Sequence, residues 1–427
     1  MEVDDVAALA QVAQKQIDKE TAGNPEVKKM IKIVQEFIET HRVMCYGGTA
    51  INNLLPPQDQ FYDYSLEIPD YDFFSETPQV HSAKLADRLA NAGFASVQVK
   101  PGLHLGTFKV FADYIPVADV SHMDPAMFKK LWSESIEKNK IHYVPPNFLR
   151  MSMYLELSRP KGDVSRWKKV YDRLQLLNKH HPLTCPAGTE RVSDEYLDED
   201  TRSKIRRIME DEKVVLLGFN ASMMQDKAPK KWMLPLDLLA TPEKRSELTK
   251  KLVDSLGGSS KVKSRDFPAY EELMPPCTDI TDRNKNVLVR VYETQACHSY
   301  HQTPSGLMVA SIPTLLQFFL STLYAPKEFM ESKPEQRFLC TAEHMVNLAN
   351  NSKRKYKILT PLTCLGTQKD LVTMRAETAE LFNKLKEDKN SREFLELFFQ
   401  YTPTDLTKTQ RQKVRKTLKK TLRTRRP

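Results

Sequence analysis

Apolar residues fall at helical spacing from Asn24 to Thr40, where Val27, Met30, Ile31, Val34, Phe37 and Ile38 form one face behind the cap Asn24 and Pro25. A short strand over Arg42 to Tyr46 follows, then a Gly47-Gly48 turn and a helix over Thr49 to Leu55 that Pro56-Pro57 stops. Leu66 to Phe74 predicts a strand around Asp70-Tyr71-Asp72, and His81 to Ala92 an amphipathic helix closed by Gly93. Ala95 to Lys100, Gly106 to Ala112 and Ile115 to Ser121 read as strands. This order predicts an α+β fold, a mostly antiparallel sheet with helices on one face. Asn147 to Leu157 and Val164 to Asn178 predict further helices, and Cys185 to Asp200 a linker.

Beyond the linker the pattern repeats. Val214 to Ala221 (VVLLGFNA) has the strand-then-glycine form of Val43 to Ala50 (VMCYGGTA). Asp237, then Thr241-Pro242 and an amphipathic helix, stand as Asp70-Tyr71-Asp72, then Thr77-Pro78 and a helix, stand in the first half. Val287 to Thr294 is expected in the place of Thr107 to Ala112, and Ile312 to Ala325 in that of Asn147 to Leu157. In this reading Gly47 has no glycine counterpart and the acidic pair shrinks to Asp237, so the second half is a copy of the fold without its chemistry. Chance likeness of two strand-turn-helix units is the plain alternative. The expected domains are residues 1–185 with a helical extension, the degenerate copy over 186–402, and a basic tail over 403–427.

Composition changes this picture in two places. With 40% hydrophobic and 28% charged residues the chain affords an ordinary core. Leu406 to Pro427 holds ten Lys or Arg and no acid, so this segment accounts for the whole net charge of +9. Such a tail attracts a polyanion or is simply a solvated end. Val414, Leu418 and Leu422 would also let it form an amphipathic helix against a partner. No stretch resembles a membrane span or an export signal, which predicts a soluble, non-secreted chain. Its six scattered cysteines are then expected as reduced thiols, and the Cys/His groups at 180–185 and 297–301 as packing residues rather than zinc ligands.

Three features of the first half fit one chemistry. Gly47-Gly48-Thr49 between strand and helix lets a backbone approach a phosphate, with open N–H groups and the Thr49 hydroxyl as donors. Gly-Gly turns are common, so this feature alone says little. On a strand, Asp70 and Asp72 project to one face and Tyr71 to the other. Two carboxylates framed by Ile68, Phe73 and Phe74 repel unless a cation lies between them, and Mg2+ or Mn2+ suits such oxygen donors. Asp119, framed by Ala118 and Val120, is the expected third carboxylate; its rival Asp113 falls at a hairpin turn, where Asp is at home. A phosphate cradle with three converging carboxylates is the equipment of nucleotidyl transfer through two metal ions about 4 Å apart.

YGGTAIN (Tyr46 to Asn52), IPDYDFF (Ile68 to Phe74), VADVS (Val117 to Ser121) and RWKKVYDRLQLLN (Arg166 to Asn178) resemble the poly(A) polymerase catalytic subunits of large DNA viruses of the poxvirus and mimivirus kind. More broadly they resemble the DNA-polymerase-β-type nucleotidyltransferases. The resemblance covers roughly Val27 to Asn178 and loosens afterwards. It implies a polymerase-β-like palm followed by a degenerate copy, with ATP as substrate, an RNA 3′ end as primer, divalent metal and no template. It also implies either a homodimer, as in the mimivirus type, or a separate processivity or cap-modifying subunit, as in the poxvirus type. The expected location is the host cytoplasm or the virion.

Arg166, Lys169 and Arg173 flank the apolar stripe of the helix over Ser165 to Asn178. They are the candidates to reach a triphosphate or RNA backbone, with Arg150 on the preceding helix as another; a packed helix with a wet basic face explains most of the same residues. Two other functions remain open at this level. One is an inactive RNA-binding scaffold on the same fold; the other is a nucleotidyltransferase with a different base or acceptor.

Overall fold

The computed structural model describes residues 3–65, 68–188, 194–227, 229–294, 296–330, 334–350 and 361–423. The chain divides into two compact units, residues 1–145 with 371–427, and residues 146–370.

The first unit begins with α1 (Val3–Gly23) and α2 (Pro25–Thr40), the latter capped by the Asn24 side chain, which accepts from the Glu26 N–H at 2.9 Å. β1 (Met44–Cys45), α3 (Gly47–Leu54), β2 (Tyr71–Ser75) and α4 (Pro78–Asn91) follow. Then come β3 (Val97–Pro101), β4 (Thr107–Ala112), β5 (Ile115–His122), α5 (Pro125–Glu134), β6 (Ile136–Lys138) and β7 (Ile141–Tyr143). The sheet order is β3-β4-β5-β2-β1-β7-β6, with β2–β5 and β1–β7 parallel and the other pairs antiparallel. Alternation along the strands buries Tyr71, Phe73, Phe108, Val110, Ala118 and Val120.

The second unit runs α6 (Pro146–Leu157), α7 (Trp167–His180), α8 (Glu199–Glu212), β8 (Val215–Leu216), α9 (Gly218–Met224), β9 (Leu236–Ala240) and α10 (Pro242–Ser255). It continues with β10 (Lys263–Phe267), β11 (Cys277–Thr281), β12 (Val287–Glu293), β13 (His298–Gln302), β14 (Met308–Ala310), α11 (Ile312–Tyr324), α12 (Glu335–Asn350) and β15 (Cys364–Leu365). Its sheet order is β10-β11-β12-β9-β8-β14-β13-β15. Apart from the added β15, this is the first sheet strand for strand, with parallel pairs again at β9–β12 and β8–β14. The chain therefore contains the same topology twice. One expected correspondence shifts: β12 answers to β5, not to the segment of β4, because it pairs in parallel with β9 as β5 does with β2.

The unit boundaries also differ from those expected at 185 and 402. α6, expected to extend the first domain, packs on α11 within residues 146–370, since both helices are strongly apolar. Beyond α13 (Leu371–Leu385) and α14 (Arg392–Phe398), the segment at Tyr401 pairs with Val99 of β3 through two backbone hydrogen bonds of 2.8 and 3.1 Å. The expected tail is the helix α15 (Lys408–Arg423), packed on α4; residues 424–427 lie outside the described residues. Arg415 and Arg411 pair with the buried Asp87 of α4, which also accepts from the Tyr401 hydroxyl at 2.7 Å. Leu418 is buried, so the every-fourth-residue apolar pattern faces this chain's own fold.

The expectation of six reduced thiols is corrected as well. Cys185 is bonded to Cys340 and Cys297 to Cys364, across 155 and 67 residues of sequence, while Cys45 and Cys277 are buried free thiols. No local spacing reveals pairs so far apart. Among the described residues no helix is long and apolar enough to cross a membrane.

If α15 is a packed element rather than a solvated end, Leu418→Ala should lower stability by about 2–5 kcal/mol in urea denaturation. An unchanged midpoint would return the segment to a tail.

Candidate active site

The site is built where β1 gives way to α3. The two glycines are the first helical residues rather than a turn before the helix: Tyr46 is the extended N-cap, and no side chain caps the helix. Gly47 has φ +70°, and a Cβ there would lie 2.6 Å from Asp72 Oδ2. Both the backbone conformation and the close carboxylate thus demand glycine. The uncapped N–H groups and the positive end of the helix dipole are left for an anion. Thr49 is turned inward: it is buried and its hydroxyl donates to the Asp70 carbonyl at 2.6 Å, so it anchors the main chain that carries Asp70 instead of facing a ligand.

Sheet register fixes the carboxylates. Asp72 and Asp119 are direct neighbours on the parallel strands β2 and β5, and Asp119 faces Lys109 on the antiparallel β4. Tyr46 joins the row from β1, its N–H donating to the Asp72 carbonyl at 3.0 Å. The Tyr46 ring stacks on Phe74 with centroids 3.8 Å apart, and its hydroxyl is 2.8 Å from Ser121 Oγ. Burial raises the Tyr46 phenol well above its ordinary range, helped by the negative charges of Asp72, Asp119 and Asp70, against the hydrogen bond from Ser121. Asp70 directly precedes β2 and is exposed; of the strand expected from Leu66, residues 66 and 67 lie outside the described residues. Asp113 caps the β4–β5 turn at φ 45°, its carboxylate accepting from the Ser96 N–H at 2.8 Å.

The donor set suits a hard divalent cation. It offers carboxylate oxygens alone, and the like charges of Asp72 and Asp119 lie side by side. The three do not form a closed ligand group: among the described residues no three acidic, His or Cys side chains converge as a metal site, and Asp119 is held by the Lys109 ammonium. Sequence reasoning missed Lys109. The alternation of Thr107 to Ala112, which buries Phe108 and Val110 and turns Lys109 to the polar face, carries that information.

Arg166, Lys169 and Arg173 belong to the second unit. Arg166 pairs with Glu156 at 3.4 Å. Arg150 is corrected as a phosphate candidate. It is fully buried and donates to Asn178 at 2.7 Å, to Asn147 and to the His181 carbonyl, which locks α6 to the end of α7.

The second unit keeps the scaffold of this site and changes its charges. Gly218 (φ +66°) stands where Gly47 stands, and a Cβ there would collide with the Asp237 carboxylate. The expectation that Gly47 has no glycine counterpart is therefore wrong; the glycine without one is Gly48, whose place is taken by Phe219. Asp237 corresponds to Asp72, and across the parallel strands its neighbour is Arg290, in the place of Asp119. Arg290 faces Asp279, in the place of Lys109, and donates to both its carboxylate oxygens at 2.6 and 2.8 Å. Asp279 already neutralises the guanidinium, so burial pushes the Asp237 carboxyl up to about 7 against the attraction of Arg290. The cavity beside Gly218 and Asp237 measures about 30 Å³, room for a water and not for a nucleotide.

Residues 32–163 match the family model described as Poly(A) polymerase catalytic subunit. A putative poly(A) polymerase catalytic subunit of African swine fever virus (strain Badajoz 1971 Vero-adapted) is 31% identical over 171 residues, 39% of this chain and 36% of the relative. That of Acanthamoeba polyphaga mimivirus is 28% identical over 162 residues, 37% of this chain and 27% of the relative. The matched stretch thus spans about a third of the length of these relatives. The crystal structure of the Megavirus polyadenylate synthase superposes with a TM-score of 0.78 at 20% identity, over 98% of this chain and 90% of that one. The fold is therefore the mixed α+β fold of that synthase.

Gly47→Ala should cost about 1–2 kcal/mol of stability through its left-handed backbone alone. Gly48→Ala, at a helical position without positive φ, should cost less in the same denaturation series, and equal losses would remove the special role of Gly47. For Asp237, the folded carboxyl keeps its proton through a range in which the unfolded chain has released it, from about pH 4 to 7. Stability should fall as pH rises across that window. Asp237→Asn should flatten this fall and gain on the parent chain at higher pH; parallel profiles would show that Asp237 ionises normally.

Proposed function

We propose that the chain is a template-independent polynucleotide adenylyltransferase that transfers AMP from ATP to RNA 3′ ends. The observation that carries this reading is the Asp72–Asp119 pair, set by strand register against the Gly47 start of α3. The pair lies inside the matched stretch 32–163.

In this reading the N–H groups at the start of α3 bind phosphate oxygens of ATP, and Gly47 and Gly48 let them approach the backbone. Asp70, Asp72 and Asp119 would hold the divalent cations, Mg2+ or Mn2+, whose charge would acidify the attacking hydroxyl and neutralise the departing pyrophosphate. The RNA 3′-oxygen forms a bond to the α-phosphorus as the bond from that phosphorus to the β-phosphate oxygen breaks. Asp119 accepts the hydroxyl proton. Thr49 fixes Asp70 through its carbonyl, and Lys109 orients Asp119 until cation and substrate arrive. An inactive RNA-binding scaffold is the reading that the Lys109–Asp119 pair would favour.

Incubation of the protein with labelled oligo(A), Mg2+ or Mn2+ and each nucleoside triphosphate in turn separates the two. The expected outcome is extension with ATP preferred over the other three. Asp72→Asn should reduce incorporation by roughly 10²–10³-fold or more with folding intact. Preference for another base would change the substrate, and no extension with any triphosphate would leave the scaffold.

A further inference from the structure

The tail charge, once folded into α15, divides into two sets. Arg411 and Arg415 face inward to Asp87, and Val414 and Leu418 turn toward the fold beside them. Lys408, Lys413, Lys416, Lys419 and Lys420 are exposed, and none pairs with a carboxylate among the described residues. Lys413, Lys416 and Lys420 recur at three- and four-residue spacing, one stripe along the helix. The adjoining helix α4 adds cations instead of acids. α15 packs along α4, where Arg415 pairs with Asp87 one turn from Lys84 and beside Arg88. Burial and then the charges of Lys419, Arg415 and Arg88 lower the Lys84 ammonium below its ordinary value. The nearest carboxylate of α4, Asp87, is already taken by Arg415 and Arg411.

A surface of crowded, uncompensated cations is stabilised by a polyanion, which replaces their mutual repulsion and releases its own counterions. A membrane suits it poorly. A helix that lies on a bilayer needs its apolar face free, and here Leu418, at the centre of that face, is buried in the protein and Val414 and Leu422 are half-buried. We propose that α15 and the adjoining face of α4 dock the sugar–phosphate backbone of single-stranded RNA, with Lys84, Lys416 and Lys419 contacting phosphates apart from the catalytic row. The choice of RNA among polyanions rests on the adenylyltransferase reading; the surface itself does not.

The test measures binding of labelled oligo(A) to the full chain by fluorescence anisotropy at several salt concentrations, without nucleotide. In the variant K84Q/K416Q/K419Q the slope of log affinity against log salt should become shallower by about 0.7 for each lost contact, about two in all. Gln412→Lys, which adds a cation at an exposed position, should steepen it by about 0.7. Unchanged slopes in both variants would overturn the proposal even if the parent chain extends oligo(A). Shifted slopes with no extension by the parent chain would keep the docking surface and remove the enzymatic reading. Weakened binding to phosphatidylserine vesicles with unaltered binding to oligo(A) would also overturn it.

Discussion

The first unit depends on one constraint of register. Parallel pairing of β2 with β5 sets Asp72 beside Asp119, and the turn from β1 into α3 brings Gly47 against the Asp72 carboxylate. A slip of β2 by one residue in that pairing would carry Asp72 to the core face and turn Tyr71 and Phe73, now buried, outward. The apolar face therefore enforces the polar one. The hydrophobic core determines which side chains share the open face, and the left-handed Gly47 allows a helix start to approach them. The helix start and the Asp72 carboxylate meet for the same reason.

The second unit shows what the same register does when its charges change. Asp237 keeps the place of Asp72 and Gly218 that of Gly47, but Arg290 replaces Asp119 and Asp279 replaces Lys109. The row becomes two carboxylates and one guanidinium, with Asp279 and Arg290 buried and Asp237 half-buried, neutral when Asp237 holds a proton. Such a set needs no cation from outside, and its cavity has no room for a nucleotide. The second unit has an internal ion pair, Arg290 with Asp279, at the register positions of Asp119 and Lys109. Removing one member of such a buried pair costs far more than replacing the whole set with apolar residues, which explains why Arg290 and Asp279 stand together.

Much of the fold could be read from pattern. The helix over Asn24 to Thr40 with its Asn24 cap, the strands near residues 97, 107 and 115, and the recurrence of strand, glycine and helix in the second half all have local causes. The candidate acids were legible because carboxylates framed by apolar strand residues are costly without a partner. Thr49 and Arg150 were misread for a shared reason. A hydroxyl or a guanidinium suits a phosphate and a backbone carbonyl equally well, and only burial distinguishes them. Thr49 turned to the Asp70 carbonyl and Arg150 to that of His181.

The amino-acid order by itself determined the periodicities, the two glycine-led repeats, the acids at 70, 72 and 119, and the concentration of positive charge after Leu406. These are local properties, written in spacing and residue type. Tertiary structure alone decided that Lys109 holds Asp119, that Arg290 stands in the place of Asp119, and that Cys185 meets Cys340. It also decided that the basic end packs onto α4. Each of these joins residues distant in sequence through strand register or helix docking, and both are set by the burial of the whole core.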